Sequence, residues 1–479
     1  MSVDKRSVSA AVPTNAASSA STANWIALFS LCLAAFITPM AMSAVNLALP
    51  QIALDLNADA VRLSWLASLP LWGSVIFMLP IARAADIWGR KRLHLCGLTL
   101  FTVTSLIVFF VEHVNQLLVI RVFQGIASSF IFATSLAMVT TLAGQKHRGL
   151  FLGIVSTCVY LGLTLGPVIG GWLTHFYGWR SVFWLPVIVI LFAICMIYYF
   201  VEESSKSVFA DALSLRKRLD IKGSMLFASA TSCLFFGLAG IAQWQYVIVL
   251  LLGILIGWLF LKHQKVAQEP LVRIDLLMQN RIFIRSIASS FCMYSASFPI
   301  LFIMSVYLQY IQQMSSAQAG EVILLQALFM ALVAPFAGRL SDKYEPRIIA
   351  TMGTLLFVLG AIIIAAINVE SSIVQVQIGL IVLGIGFGLF SSPNNNAAMS
   401  ATNPEKLSVA AALLNLARTA GNMFSTAIVV VLFNHFIGYY TITEEQFPDL
   451  FLIIRISIGL CAFYAILAAY FSWTRGKIR

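Results

Sequence analysis

The chain is 479 residues long, 60% hydrophobic and only 10% charged, with a net charge of +11. Soluble domains carry roughly 25% charged residues, so this composition excludes a water-soluble protein and points to an integral membrane protein. The positive balance sits in short loops between apolar runs, which accounts for it without a nucleic-acid partner and makes the lipid bilayer the partner instead.

In chain order, residues 1–23 are rich in Ser, Ala and Thr and are expected to form a disordered polar tail. A cleaved signal is not expected, because the first apolar run is too long and too far from the start. Apolar runs then follow at 24–50, 62–83, 93–112, 116–142, 150–175, 181–201, 223–242, 246–262, 285–311, 317–340, 348–368, 373–393, 408–433 and 449–472. Each comes close to the ~20 residues that cross ~30 Å of hydrocarbon. Lipid offers no partner for backbone polar groups, so all fourteen are predicted to be helices, spans 1 to 14.

Basic residues alternate between the loops. If Lys5 and Arg6 are cytoplasmic, so are Arg90, Lys91 and Arg92; Lys146 and Arg148; Arg216, Lys217, Arg218 and Lys222; Lys262, Lys265, Arg273 and Arg281; Lys343 and Arg347; and Arg475, Lys477 and Arg479. The opposite loops carry little beyond Arg62 and Arg180. This positive-inside bias predicts that both termini are cytoplasmic. The seven cysteines are scattered with no CxxC pair and read as small core residues; no metal site and no cofactor is expected.

Two short turns look alike, "ARAADIWGRKR" (82–92) after span 2 and "GRLSDKYEPR" (338–347) after span 10. Each sets an Asp, Asp86 or Asp342, before basic residues. Spans 1–6 and 9–14 therefore read as two related six-helix bundles, with spans 7 and 8 as a hairpin between them. Parallel repeats of this kind mark transporters, whose solute site lies between the halves near the bilayer midplane. The expected division is a tail at 1–23, a first bundle at 24–202, linkers and hairpin at 203–284, a second bundle at 285–473 and a tail at 474–479.

Span 5 is thin for a membrane helix. It reads G-x8-G-x3-G-P-x2-G-G through Gly153, Gly162, Gly166, Pro167, Gly170 and Gly171. Gly162, Gly166 and Gly170 recur every four residues, forming a stripe without side chains where a neighbouring helix can approach. Pro167 removes one backbone donor and permits a bend. This segment resembles the antiporter motif of drug exporters in the major facilitator superfamily. "DIWGRK" (Asp86, Gly89, Arg90, Lys91) is similar to that superfamily's loop motif after the second span. "RVFQG" (Arg121, Gln124, Gly125) resembles its fourth-span motif, and "NLALPQI" (46–52) the end of the first span in the fourteen-helix drug:proton antiporter branch. The resemblance implies an all-α integral membrane fold of major facilitator type, with no enzymatic activity and efflux of small amphipathic solutes in exchange for protons. It also implies that the glycine segment is a bendable seam, that the Asp86 loop is a conformational switch, and that Arg121 takes part in proton coupling.

Ionisable residues inside spans are costly and are candidates for function. Span 13 places Asn415, Arg418, Asn422 and Ser425 at spacings of three and four, one polar stripe on an apolar helix. Arg418 falls near the midplane and is expected to face water or solute; Gln124, on the Arg121 face of span 4, joins the expected solute pathway. Glu321 opens span 10 and Arg455 opens span 14, both at the outer surface; Glu321 is the one carboxylate placed even partly within a span, and so the acidic candidate for coupling. Asn394, Asn395 and Asn396 follow Pro393 and are expected to cap span 12 rather than line a vestibule. The first-span position where relatives commonly carry Asp is Ala41, and no histidine lies deep in a span. Scarce carboxylates and a midplane arginine leave two solutes open: an amphipathic drug-like compound, or an anionic or zwitterionic metabolite such as a siderophore. A monomer is expected. The absence of any N-x-[ST] sequon fits a bacterial inner membrane.

Overall fold

The computed structural model describes residues 22–143, 148–203, 219–241, 243–268, 270–272, 280–368, 371–402, 407–438 and 446–477. Fourteen long helices account for most of them: α1 (Thr22–Leu56), α2 (Ala60–Trp88), α3 (Arg90–Ile107), α4 (Val114–Ala143), α5 (Arg148–Tyr177), α6 (Ser181–Phe200), α7 (Ile221–Ala239), α8 (Trp244–Val266), α9 (Arg281–Val306), α10 (Ser316–Lys343), α11 (Pro346–Ala365), α12 (Ile373–Ser400), α13 (Leu407–Phe436) and α14 (Phe447–Thr474). They coincide with the fourteen predicted spans, and each is long and apolar enough to cross a membrane. Polar residues mark several starts. Asp59, Asn280 and Ser372 accept from the first backbone N–H groups of α2, α9 and α12, and Ser315 with Gln318 forms a capping box on α10.

Two prolines at predicted span ends do not end their helices. α1 continues through Pro50 and α12 through Pro393, because a proline removes one ladder bond that close neighbours in a membrane bundle can replace. The capping role expected for Asn394–Asn396 is therefore corrected: these residues lie inside α12. Asn394 is fully buried, donating to Ser286 O at 3.1 Å and Ser290 Oγ at 2.8 Å on α9. Asn396 donates to Ser341 Oγ on α10 at 2.9 Å. Both amides tie helices together.

The internal repeat is visible in the pairing of helices. In the first half α1 packs on α5 and α6, α2 on α4, and α3 on α4 and α6; in the second α9 packs on α13 and α14, α10 on α12, and α11 on α12 and α14. The second set copies the first, α1 answering to α9 and α6 to α14. The halves meet along α2–α13 and α5–α10, two seams that the same correspondence exchanges. The largest apolar core runs across both halves at the end away from the basic loops, joining Leu47 and Ile52 of α1 to Ile300 and Ile303 of α9 and Ile323 of α10. Toward the basic end the apolar clusters separate: Leu31, Phe101 and Phe151 belong to the first half, Phe283, Ala398 and Leu414 to the second.

The hairpin lies on one seam. α7 packs on both α2 and α13, with Trp65 and Trp72 of α2 against Phe235 and Phe236 of α7. Trp72 Nε1 also donates to Ser232 Oγ at 3.2 Å. α8 packs on α7, and only 6% of its most apolar window is buried.

At the hairpin's base, Asp220 has a left-handed backbone (φ 41°) and caps α7. Its carboxylate accepts from His263 Nε2 at 2.7 Å, Gln264 Nε2 at 2.7 Å and Gly223 N at 3.0 Å. A side chain at Gly223 would strike that carboxylate. Burial alone would raise the Asp220 pKa; the bonds from His263, Gln264 and Gly223 outweigh it and hold the group below the ordinary aspartate value. A lowered folded-state pKa means the stabilisation is complete above ~3.9, the unfolded value, and is lost as pH falls through the folded value. Asp220→Ala is expected to cost about 1–3 kcal/mol at neutral pH relative to the unchanged protein. The melting-temperature gap between the two proteins should hold steady down to about pH 4 and close below it.

Candidate functional site

The glycine stripe of α5 packs on α1. A Cβ at Gly162 would collide with Phe36 O, one at Gly166 with Ser43 Oγ and Met40 O, and one at Gly170 with Ala44 O. The two backbones therefore lie in direct contact, and Ser43 Oγ reaches Leu163 O across them at 3.4 Å. Gly171 turns to the other half, where a side chain would meet Ser316 O of α10; Ser316 Oγ donates to Gly171 O at 3.1 Å. Pro167 is buried within the continuous helix. Gly153 lies in α5 too, but its surroundings fall outside the described residues.

The halves also touch at mid-depth. Tyr160, on α5, is buried, and its hydroxyl lies 3.0 Å from Tyr294 Oη on α9 and 2.6 Å from Ser391 Oγ on α12. Arg418 comes from α13, close to the height of Tyr160 on the equivalent helix. Its guanidinium carbon is 5.3 Å from the Tyr160 ring centre and 4.8 Å from that of Tyr294. A cation over an aromatic face is held by roughly 0.5–2 kcal/mol per ring, the more so the less water reaches it. Arg418 Nη1 donates to Asn415 Oδ1 at 3.3 Å. One first-half tyrosine is thus gripped by three second-half helices; elsewhere the halves are also joined by Ser305 Oγ donating to Asn46 O at 2.7 Å.

The polar stripe of α13 divides. Asn415 and Arg418 stand at the boundary of the halves. Ser425 lines a small cavity inside the second half with Ser295, Ser457 and Tyr464, and donates to Asn422 O at 3.0 Å. Asn422 Oδ1 is buried and finds no hydrogen-bond partner among the described residues.

Arg121 is 2% exposed and belongs to a separate cluster. Its Nε donates to Leu66 O at 3.0 Å, and its Nη1 to Gln124 Oε1 at 2.9 Å and Met42 Sδ at 3.7 Å. Gln124 Nε2 continues to Ser105 Oγ at 3.2 Å. Four helices of the first half converge on this cation, and its partners among the described residues are neutral. The structure does not bring Gln124 or Arg121 to Arg418. Glu321 is exposed, at the head of the outward stripe of α10 that continues through Leu328, Leu332 and Phe336. Arg455 donates to Asn368 Oδ1 at 2.7 Å.

At the basic end, Gly89 precedes α3 with φ 103°, a conformation that favours glycine. A side chain there would meet the Glu203 carboxylate, which accepts from Lys91 N at 3.3 Å and approaches Arg92 Nε at 3.8 Å. A carboxylate at a helix N-terminus is favoured by the helix dipole. Lys91 Nζ donates to Tyr198 O at 2.8 Å and Arg90 Nη1 to Thr141 Oγ1 at 3.2 Å. The side chains of Asp86 and Asp342 fall outside the described residues.

Sequence reasoning missed Tyr160, Tyr294, Ser391 and Glu203. It also passed over His94, which lies near the basic end of α3 yet is fully buried, with Nδ1 2.8 Å from Thr134 Oγ1. An aromatic residue in an apolar run carries no signal of its partner; Glu203 was discoverable as a lone acidic pair, with Glu202, ending span 6.

A model of the Major Facilitator Superfamily matches residues 31–426 and again 286–477. The chain belongs to that superfamily of membrane transporters. It is 28% identical over 418 residues to "Riboflavin transporter RibZ" of Clostridioides difficile, covering 87% of this chain and 89% of that protein. It is 27% identical over 395 residues to "Multidrug resistance protein Stp" of Mycobacterium tuberculosis, covering 80% and 71%. Among solved structures, a bacterial homolog of the human lysosomal transporter Spinster, in an inward-facing and unoccupied conformation, superposes with a TM-score of 0.64 at 15% identity over 95% of this chain and 97% of that one. The human organic anion transporter MFSD10 gives 0.59 at 14% identity, covering 93% and 99%. These likenesses establish the fold.

Proposed function

We propose that this transporter is an exporter of small amphipathic solutes in the fourteen-helix drug:proton antiporter branch, working by alternating access with inward proton movement as the driving force. The observation that carries this reading is Arg418, a guanidinium at mid-depth and at the boundary of the halves, where moving one half against the other would expose it to each side in turn. The shared core away from the basic loops supports a form closed on that side. The multidrug resistance relative supports efflux. On this reading the basic loops and both termini are cytoplasmic, the membrane is a bacterial inner membrane, and the protein works as a monomer with bundles at 24–202 and 285–473 and linkers and hairpin at 203–284. The α1–α5 seam closes one side, and the Gly89–Lys91 turn with Asp86 and Asp342 biases the resting state.

Arg121 and Gln124 are the better-supported coupling group, being buried among four helices; Glu321, on the exposed stripe of α10, is supported only by its charge. A second reading, export of an anionic or zwitterionic metabolite, is favoured by the neutral partners of Arg418 and by Ala41 in the first-span position where a cation exporter commonly carries Asp. Collapsing the proton gradient in cells that carry the gene is expected to stop efflux within the time of gradient loss. Efflux continuing at full rate would reject proton coupling for either solute.

A further inference from the structure

The surroundings of Arg418 specify a solute more narrowly than its charge does. A guanidinium presents five N–H donors in a planar fork that matches a carboxylate. Here the hydrogen-bond partner among the described residues is neutral, Asn415 Oδ1. No carboxylate pairs with Arg418 there, and the residue is only half-buried. Two tyrosine faces hold the cation from the sides. Hydroxyls of Tyr160, Tyr294 and Ser391 lie within one hydrogen-bonded cluster beside it.

Each part selects. A second cation placed about 5 Å from Arg418 would be repelled at low effective dielectric. An anion gains the unused edge of the fork. A flat ring gains offset stacking on Tyr160 or Tyr294, worth roughly two- to tenfold in affinity per aromatic pair, which an aliphatic acid does not. The geometry points to planar aromatic anions as the solute class, the anionic group on the Arg418 fork and the ring on a tyrosine face. This inference rests on the reading of Arg418 as part of the transport pathway.

The test uses the full-length protein in nanodiscs and three probes measured by calorimetry: 2-naphthoate, cyclohexanecarboxylate and 2-naphthylmethylammonium. The naphthoate is expected to bind at least tenfold more tightly than either of the others. Arg418→Lys keeps the charge but not the fork and is expected to weaken naphthoate at least tenfold. Tyr294→Leu should weaken it roughly fivefold while leaving cyclohexanecarboxylate unchanged; Tyr294→Phe, which keeps the ring, should restore naphthoate. Because the tyrosine series leaves the cation in place, it reads the ring contribution even if the lysine variant is poorly folded. Equal affinity for the ammonium probe, or naphthoate binding indifferent to both Arg418→Lys and Tyr294→Leu, overturns the inference. Proton-dependent efflux of some other solute without naphthoate binding removes the ligand class and keeps the exporter. Arg418-dependent naphthoate binding in a protein that moves nothing keeps the ligand class and removes the exporter.

Discussion

Arg418→Ala is expected to abolish efflux while the protein still reaches the membrane in normal amount. The guanidinium is a charged group between the halves at mid-depth, facing Tyr160 from the first and Tyr294 from the second. An opposite charge about 5 Å away at an effective dielectric near 20 is worth about 3 kcal/mol, or roughly a hundredfold in affinity, so an anionic solute loses most of its binding with the side chain. The same truncation removes two cation–π contacts and leaves Asn415 Oδ1 without its donor. The boundary is then expected to loosen too. Membrane abundance by immunoblot, thermal stability in detergent and efflux of a transported solute separate the two effects. Retained efflux at a normal rate would place Arg418 outside the pathway.

Gly166→Leu is expected to be the second severe change. The new side chain would run into Met40 O and Ser43 Oγ of α1, and backbone cannot yield as a flexible side chain does. Overpacking of this kind costs typically 1–3 kcal/mol. The cost falls on a helix that also carries Tyr160 to the mid-depth cluster and Gly171 to Ser316 of α10. Displacing α5 thus disturbs two inter-half contacts at once. Gly459 on α14 supplies the control, since nothing lies within 4 Å of a Cβ there; Gly459→Leu should transport normally. Wild-type efflux and melting temperature in Gly166→Leu would show that the α1–α5 contact has slack.

These two positions also show what the amino-acid sequence can reveal. The α1–α5 seam was legible because its cause is local: three glycines at a four-residue spacing leave one bare helix face, whatever lies opposite. The fourteen spans were legible for a similar reason, since crossing hydrocarbon depends on length and apolarity alone. Tyr160 was not legible. Its partners Tyr294 and Ser391 are 134 and 231 residues away, and a tyrosine amid Leu, Val and Gly reads as ordinary packing until the fold supplies the neighbours. Asn394 failed in the opposite direction. Three asparagines after a proline look like a helix end, yet a tightly packed bundle carried α12 through the proline and used the buried amide as a bracket to α9. Glu321 sits between these cases: its charge and position were plain, but the direction its helix turns it depends on where α12 and α5 lie.

The pairing of helices would make the two flanks of the molecule alike, but α7 leans on one of them with Phe235 and Phe236 wedged beside Trp65 and Trp72. On the proposed alternating-access reading, a body resting on both α2 and α13 would damp their separation, shift the rocking axis toward that flank and widen the gap on the other. A solute dissolved among acyl chains would then, on the same reading, meet a door on one side and a wall on the other.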